Sequence, residues 1–242
     1  MPRPKPPASR PPPAPPSAPA PVAPARQRLL IVDDHPFMRA GLAQLIEKQP
    51  GMTVAAEAGD PADALAILAR EPIDLVLTDI TMPGRSGIEF IKDLVALYPA
   101  LPILVVSMHD ELIYAERVLR AGARGYIMKE AGGENLLAAL RQVLSGLVYV
   151  SPKMSARILD NLSGRKPRGS SSPIEKLTDR EFEVFQLIGH GRSTRDIAKQ
   201  LHLSSKTVDV HRAHIKEKLG LTDVTALVRH AVRWVETQSL EA

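Results

Sequence analysis

The chain has no cysteine, which excludes disulfides and thiolate metal sites and fits a reducing cytoplasm. It has no apolar run approaching the length of a membrane span, and its first residues lack an apolar signal segment, so a membrane protein is not expected. Residues 1–28 carry five basic groups and no acid. Aromatic residues are scarce, at 4%, and the one tryptophan, Trp234, falls in an amphipathic helical stretch where it is expected to pack against its own domain.

With 242 residues the chain can form two domains of ordinary size. Its charge is unevenly spread: residues 29–150 carry 10 basic against 16 acidic groups, and residues 176–242 carry 11 against 9. An acidic front and a basic back suggest different partners, with nucleic acid plausible for the second. Residues 1–26 hold 12 of the 22 prolines. Such a segment cannot bury enough apolar surface to offset its ordering entropy, so residues 1–27 are expected to form a disordered tail. That tail is either inert or a weak nonspecific arm for DNA.

Between 28 and 146, short apolar runs alternate with helical periods. Strands are expected at 29–33, 53–57, 73–78, 102–107 and 125–128. Apolar spacing of i, i+3, i+4 marks helices at Pro36–Lys48, Pro61–Arg70, Gly87–Leu97 and Asp110–Ala121. A last helical face joins Leu136, Leu137, Leu140, Val143, Leu144 and Leu147. Five β-α units imply a doubly wound parallel sheet with right-handed crossovers. Leu75-Val76-Leu77-Thr78 ends on Asp79 before a Pro83-Gly84 turn, and Leu29-Leu30-Ile31-Val32 runs into Asp33-Asp34. Ligands of open parallel sheets bind at the carboxyl ends of strands. Three carboxylates gathered there repel one another unless a cation neutralises them, so a metal site is implied. Taken alone, Asp33-Asp34 is explained equally well as the cap of the next helix.

Residues 147–175 read as a linker with a short helix at 152–162 and a flexible Gly164–Pro173 stretch. The remainder, 176–242, is expected to be a small four-helix domain. Thr178 and Glu181 form a capping box, flanked by Leu177 and Phe182 at hydrophobic-staple spacing. Ser193 with Asp196 opens a second helix, Ser204 a third, and a fourth spans about 223–236. Two short helices meeting at a tight turn across His202-Leu203 suggest helix-turn-helix geometry.

These motifs together resemble a NarL/FixJ-type two-component response regulator: a flavodoxin-like receiver over 28–146 followed by a LuxR-type helix-turn-helix over 176–242. The resemblance rests on Asp33-Asp34, on Asp79 with Met82-Pro83-Gly84 and Gly87, on Ser107 ending a strand, and on Tyr126-Ile127-Met128-Lys129. It implies that Asp79 accepts a phosphoryl group from a sensor histidine kinase. It further implies that Asp34, Asp79 and the Thr81 backbone carbonyl hold Mg²⁺, with Asp33 acting through water. Mg²⁺ suits one or two carboxylates plus phosphate oxygens and waters. Lys129 and Ser107 would contact the phosphoryl oxygens. The resemblance also implies a switch in which Ser107 moves toward the phosphoryl group, Tyr126 turns inward, and self-association changes; plain strand packing is the alternative for Tyr126. Thr81 and His109 are candidates to flank the hydrolytic water, although His109 reads more readily as an ordinary surface histidine.

In Ser204–Leu219, Val208, Ile215 and Leu219 share the packed face, and the opposite face is polar, as a groove-inserted helix requires. By resemblance Lys206, Thr207, Arg212, Lys216 and Lys218 contact phosphates, while Asp209, Val210 and Ala213 lie nearest base edges. His211 is expected to be half-buried and structural. The fourth helix is where related domains pair, so the expected active species is a homodimer on promoter DNA, with RNA polymerase a candidate partner. The expected protein is a regulator rather than an enzyme, its receiver supporting only phosphoryl transfer to its own Asp79 and slow self-dephosphorylation. An aspartyl-phosphate phosphatase is disfavoured because Thr81 stands where that class carries a second Asp. The remaining rival is a constitutive dimerising regulator whose receiver is not phosphorylated.

Overall fold

The computed structural model describes residues 26–82, 86–163 and 173–240. The Pro83-Gly84 turn, nearly all of the proline-rich tail and residues 164–172 of the expected linker lie outside the described residues.

Five parallel strands form the first half: β1 (Gln27–Val32), β2 (Met52–Ala58), β3 (Leu75–Thr78), β4 (Ile103–Ser107) and β5 (Gly125–Met128). Their order is β2-β1-β3-β4-β5, the flavodoxin-like arrangement. Strand order therefore reverses at β1, and the crevice between β1 and β3 is the switch point where ligands of such sheets bind. Asp33 follows β1 and Asp79 follows β3, so both carboxylates stand at this crevice.

The central strands are apolar on both faces because helices cover both. Leu29 and Ile31 pack with Leu42 and Ile46 of α1 (Pro36–Glu47) and with Leu136, Leu137 and Leu140 of α5 (Gly133–Leu144). Leu30 and Val32 face the other layer, α2 (Pro61–Leu68), α3 (Gly87–Leu97) and α4 (Glu111–Arg120). Truncating one such fully buried leucine to alanine costs about 2–5 kcal/mol.

Two expectations about helix ends need correction. Asp110 is not in α4 but caps it, accepting a hydrogen bond from Leu112 N at 2.9 Å. Leu147 does not extend the α5 face: the helix stops at Leu144, Gly146 turns the chain with φ 85°, and Leu147 is 60% exposed. Periodicity continued past the point where a left-handed turn ended the helix.

Gly87 is required by close approach. A Cβ there would lie 2.4 Å from the Ile80 carbonyl oxygen, so only glycine lets α3 start this close to the segment after Asp79.

After the sheet, α6 (Pro152–Leu162) is tied to α4: Ser151 N donates to Glu111 Oε1 at 2.7 Å, and Met154 is fully buried. The rest is helical, with α7 (Asp179–Gly189), α8 (Thr194–Gln200), α9 (Ser205–Leu219) and α10 (Val224–Leu240). The Thr178/Glu181 capping box forms, with Leu177 and Phe182 both buried beside it. Ser193 and Ser204 cap α8 and α9 as expected. Gly220 ends α9 in the left-handed conformation, φ 65°. Phe182 and Phe185 of α7 pack against Trp234 of α10, with ring centroids 5.5 and 5.7 Å apart. No helix among the described residues is long and apolar enough to cross a membrane.

Candidate functional site

Residues far apart in sequence meet at the β1–β3 crevice. Lys129, just past β5, places Nζ 2.7 Å from Asp33 Oδ2 and 2.7 Å from Asp79 Oδ2. All three side chains are buried, so the ion pairs are little screened by solvent. Burial alone would lower the Lys129 pKa; the two carboxylates outweigh it and hold the ammonium above the ordinary lysine value. Asp79 Oδ1 accepts from the backbone N–H groups of Ile80 at 2.6 Å and Thr81 at 3.1 Å.

One ligand atom each from Asp33, Asp34, His35 and Asp79 falls within 4.8 Å of the others. Asp34 Oδ1 is buried and has no hydrogen-bond partner of good geometry, although His35 Nδ1 lies 2.8 Å away. A buried carboxylate oxygen left short of donors, beside two further carboxylates, fits a small hard cation with oxygen ligands. His35 escaped the sequence reading. Only its neighbour, the Asp33-Asp34 pair, hinted that it stood at the pocket mouth.

Ser107 ends β4, fully buried, and its Oγ accepts from His109 N at 3.3 Å. Tyr126 is already inward: it is fully buried and its hydroxyl donates to the His109 carbonyl at 2.7 Å. Thr81 Oγ1 and His109 Nε2 are 2.7 Å apart, which brings together the two residues expected to flank the site. His109 is not a plain surface residue. Burial pushes its pKa down, against the pull of Asp79, and its ring stacks on Tyr114 at 4.6 Å between centroids.

The second candidate surface is α9. Val208 and Ile215 are buried beneath it, while Lys206, Asp209, Val210 and Ala213 are exposed on the outer face. Thr207, Arg212, Lys216 and Lys218 are half-buried. Thr207 N donates to the Ser204 cap at 3.0 Å. Arg212 donates to Thr194 Oγ1 at 2.6 Å, which pins α9 to α8. Lys218 is committed elsewhere: Nζ lies 2.6 Å from Oε2 of the buried Glu181. Glu181 is thus more than a cap. Burial would raise its pKa, but Lys218 and the Thr178 backbone N–H hold it below the usual carboxylate range. His211 is half-buried as expected; its Nδ1 lacks a partner and burial lowers its pKa. Exposed Arg195 and Lys199 of α8 were not singled out in the sequence, where their signal was two basic residues four apart, and so on one helix face. In helix-turn-helix folds the first helix crosses the phosphate backbone.

Comparison with known proteins matches both halves. Residues 29–141 fit the response regulator receiver domain model, and residues 175–231 fit the bacterial regulatory proteins of the luxR family. The oxygen regulatory protein NreC of Staphylococcus carnosus (strain TM300) is 34% identical over 210 residues, covering 85% of this chain and 97% of NreC. NreC of Staphylococcus aureus (strain MRSA252) is 35% identical over the same span. Among solved structures, RcsB from Salmonella enterica serovar Typhimurium, bound to promoter rprA with the phosphomimetic BeF3⁻, aligns with a TM-score of 0.67. Identity is 26%, with 86% of this chain and 98% of RcsB covered.

Proposed function

The chain belongs to the NarL/FixJ-type response regulators, which join a receiver domain to a luxR-type DNA-binding domain, and on that premise we propose how its two sites work together. Asp79 accepts a phosphoryl group from a sensor histidine kinase, and the modified chain pairs and binds promoter DNA through α9. The observation that carries this reading is Lys129 bridging Asp33 and Asp79 at the switch point, beside an Asp34 oxygen that lacks a hydrogen bond of good geometry. The division that follows is a tail over 1–27, a receiver over 28–146, a linker over 147–175 and a DNA-binding domain over 176–242.

Asp34, Asp79 and the Thr81 carbonyl would hold Mg²⁺, with Asp33 acting through water, and the ion would supply positive charge where the transferring group gathers negative charge. The chain's own work is positioning. The Ile80 and Thr81 N–H groups hold Asp79 Oδ1, so the carboxylate presents a fixed edge. Lys129 supplies a cation and Ser107 a hydroxyl to the phosphoryl oxygens, as expected of phosphoryl transfer governed by electrostatics. The modification adds about −1.5 to −2 charge at pH 7. Charge-assisted hydrogen bonds worth about 1.5–3 kcal/mol each then suffice to shift a two-state equilibrium that needs about 5.5 kcal/mol to reverse from 1:99 to 99:1. Tyr126 and Ser107 are the switch pair. The chain performs no turnover beyond its own phosphorylation and dephosphorylation.

On the DNA, Lys206, Thr207, Arg212 and Lys216 serve the phosphates, and Asp209, Val210 and Ala213 face the bases. Lys218 contributes through Glu181 instead. Arg195 and Lys199 extend the phosphate track.

The test is DNA binding with duplexes selected from a random pool, with and without a small phosphodonor and Mg²⁺. Donor should raise both affinity and dimer content, and Asp79→Asn should abolish that response. Equal affinity and an identical oligomeric state under both conditions would establish the constitutive rival instead.

A further inference from the structure

A cleft of about 500 Å³ lies where the segment after β3 and the first turns of α3 and α4 face α7 and the end of α8. Ile80, Met82, Ile88 and Leu201 line it and are buried, and Leu187 of α7 adds a half-buried apolar side chain. The stacked rings of His109 and Tyr114, 4.6 Å apart, supply a flat aromatic part of the wall. Sites for small organic molecules are typically clefts of about 300–1,000 Å³, mostly apolar, with a few polar groups that fix orientation. In volume and lining this cleft is of that kind.

Most polar groups of the wall are already satisfied. Thr81 Oγ1 and His109 Nε2 pair at 2.7 Å, and Gln186 donates to the Tyr114 hydroxyl. His190, Arg192 and Gln200 are exposed to water. Glu183 is different. It lines the cleft at 8% exposure, and its Oε2 accepts from Arg180 at 2.8 Å. Its Oε1 is buried and has no hydrogen-bond partner among the described residues. A buried carboxylate oxygen without a donor is costly and calls for one. The last torsion of a glutamate is soft, so a donor entering the cleft can draw Oε1 to it. Neither the Thr178/Glu181 capping box nor the acidic pocket uses Glu183.

We propose that this cleft binds a small aromatic amine, whose ammonium donates to Glu183 Oε1 and whose ring lies on the apolar wall. An ammonium is favoured over a neutral donor because charge-assisted hydrogen bonds are roughly twice as strong as neutral ones. An anion of the same shape meets the carboxylate and is rejected. The walls come from both halves of the chain, so the bound molecule touches both domains at once. The site requires neither phosphorylation of Asp79 nor the outer face of α9, and it stands whether or not the acceptor reading does.

The full chain, without phosphodonor or DNA, is titrated at neutral pH with three probes of one shape: 2-phenylethylamine, 2-phenylethanol and 3-phenylpropanoate. Ligand-observed NMR reads the weak affinities expected of such small molecules. The amine should bind roughly tenfold more tightly than the alcohol, and the carboxylate most weakly of the three. Glu183→Gln keeps the side chain's size and removes its charge. It should bring the amine down to the level of the alcohol and leave the alcohol unchanged. Leu187→Trp fills the cleft from a half-buried position and should weaken amine and alcohol together. Should Glu183→Gln fail to fold for want of its pair with Arg180, the ranking of the three probes and Leu187→Trp decide. The proposal is overturned if the amine shows no saturable binding, if the carboxylate binds as tightly as the amine, or if the preference for the amine survives Glu183→Gln. Amine binding that ignores Leu187→Trp overturns it as well, since the molecule would then sit elsewhere.

Discussion

The acidic pocket and the outer face of α9 solve opposite problems. In the pocket, Asp33, Asp79 and Lys129 arrive from three strand ends and are buried together, so every charge depends on the others. On α9, the polar residues come from one continuous helix and none of them is fully buried. The first arrangement is cooperative and intolerant of single losses, whereas the second is an array whose members act nearly independently. Chemistry that must hold a charged group at a fixed place needs the former; tracking a long polyanion needs the latter.

The largest effect that tests this contrast is Lys129→Ala. It strips two buried carboxylates of their shared cation, and breaking a buried pair this way costs about 3–5 kcal/mol. Urea unfolding of the full chain should show that loss without divalent ions and a partial recovery when Mg²⁺ is added. A loss below about 1 kcal/mol would mean the pocket charges are not coupled as drawn.

Next comes Gly87→Ala, whose added methyl would meet the Ile80 backbone. Overpacking of this kind costs about 1–3 kcal/mol. Because Ile80 follows Asp79, a proposed Mg²⁺ ligand, Mg²⁺-induced stabilisation should shrink in parallel, which a thermal shift with and without the ion would measure.

Two lysines of α9 sharpen the comparison from the other side. Lys218→Ala should behave like a pocket variant, lowering stability by about 1–3 kcal/mol because Glu181 is left buried without its cation. Lys216→Ala should barely move the unfolding curve. It should weaken all DNA sequences alike and reduce the salt slope by about 1. Should Lys218→Ala alter only the salt slope, the two lysines would be equivalent after all.

The smallest expected effect is in acid. Glu181 has a folded pKa below its unfolded value, so its contribution to stability is full above the unfolded value near 4.3 and drains away as pH falls through the folded one. Glu181→Gln should lose stability at neutral pH and show a flatter decline below pH 4.5. Parallel acid limbs in the two proteins would remove Glu181 from that role.

Much of this was legible in the sequence where the signal is local. A capping box announces α7 and a serine N-cap announces α8, because a Thr or Ser oxygen takes up an orphan N–H group at the start of any helix. The apolar runs found the strands, and the carboxylates at their ends found the pocket, since a parallel sheet places strand ends side by side. What failed to show were contacts between elements. Nothing in the α9 sequence showed that Lys218 pairs with Glu181 of α7. His109 read more readily as a surface residue, because nothing in its own loop reveals the Tyr114 ring stacked on it.

The dispersal of the pocket's members along the chain carries a consequence for quality control. Asp33, Asp79 and Lys129 become neighbours only after β1, β3 and β5 have all joined the sheet. A nascent or half-collapsed chain owns the same aspartate but no pocket around it. Under the proposed function, only finished molecules would then be open to the message, and unfinished ones would stay silent.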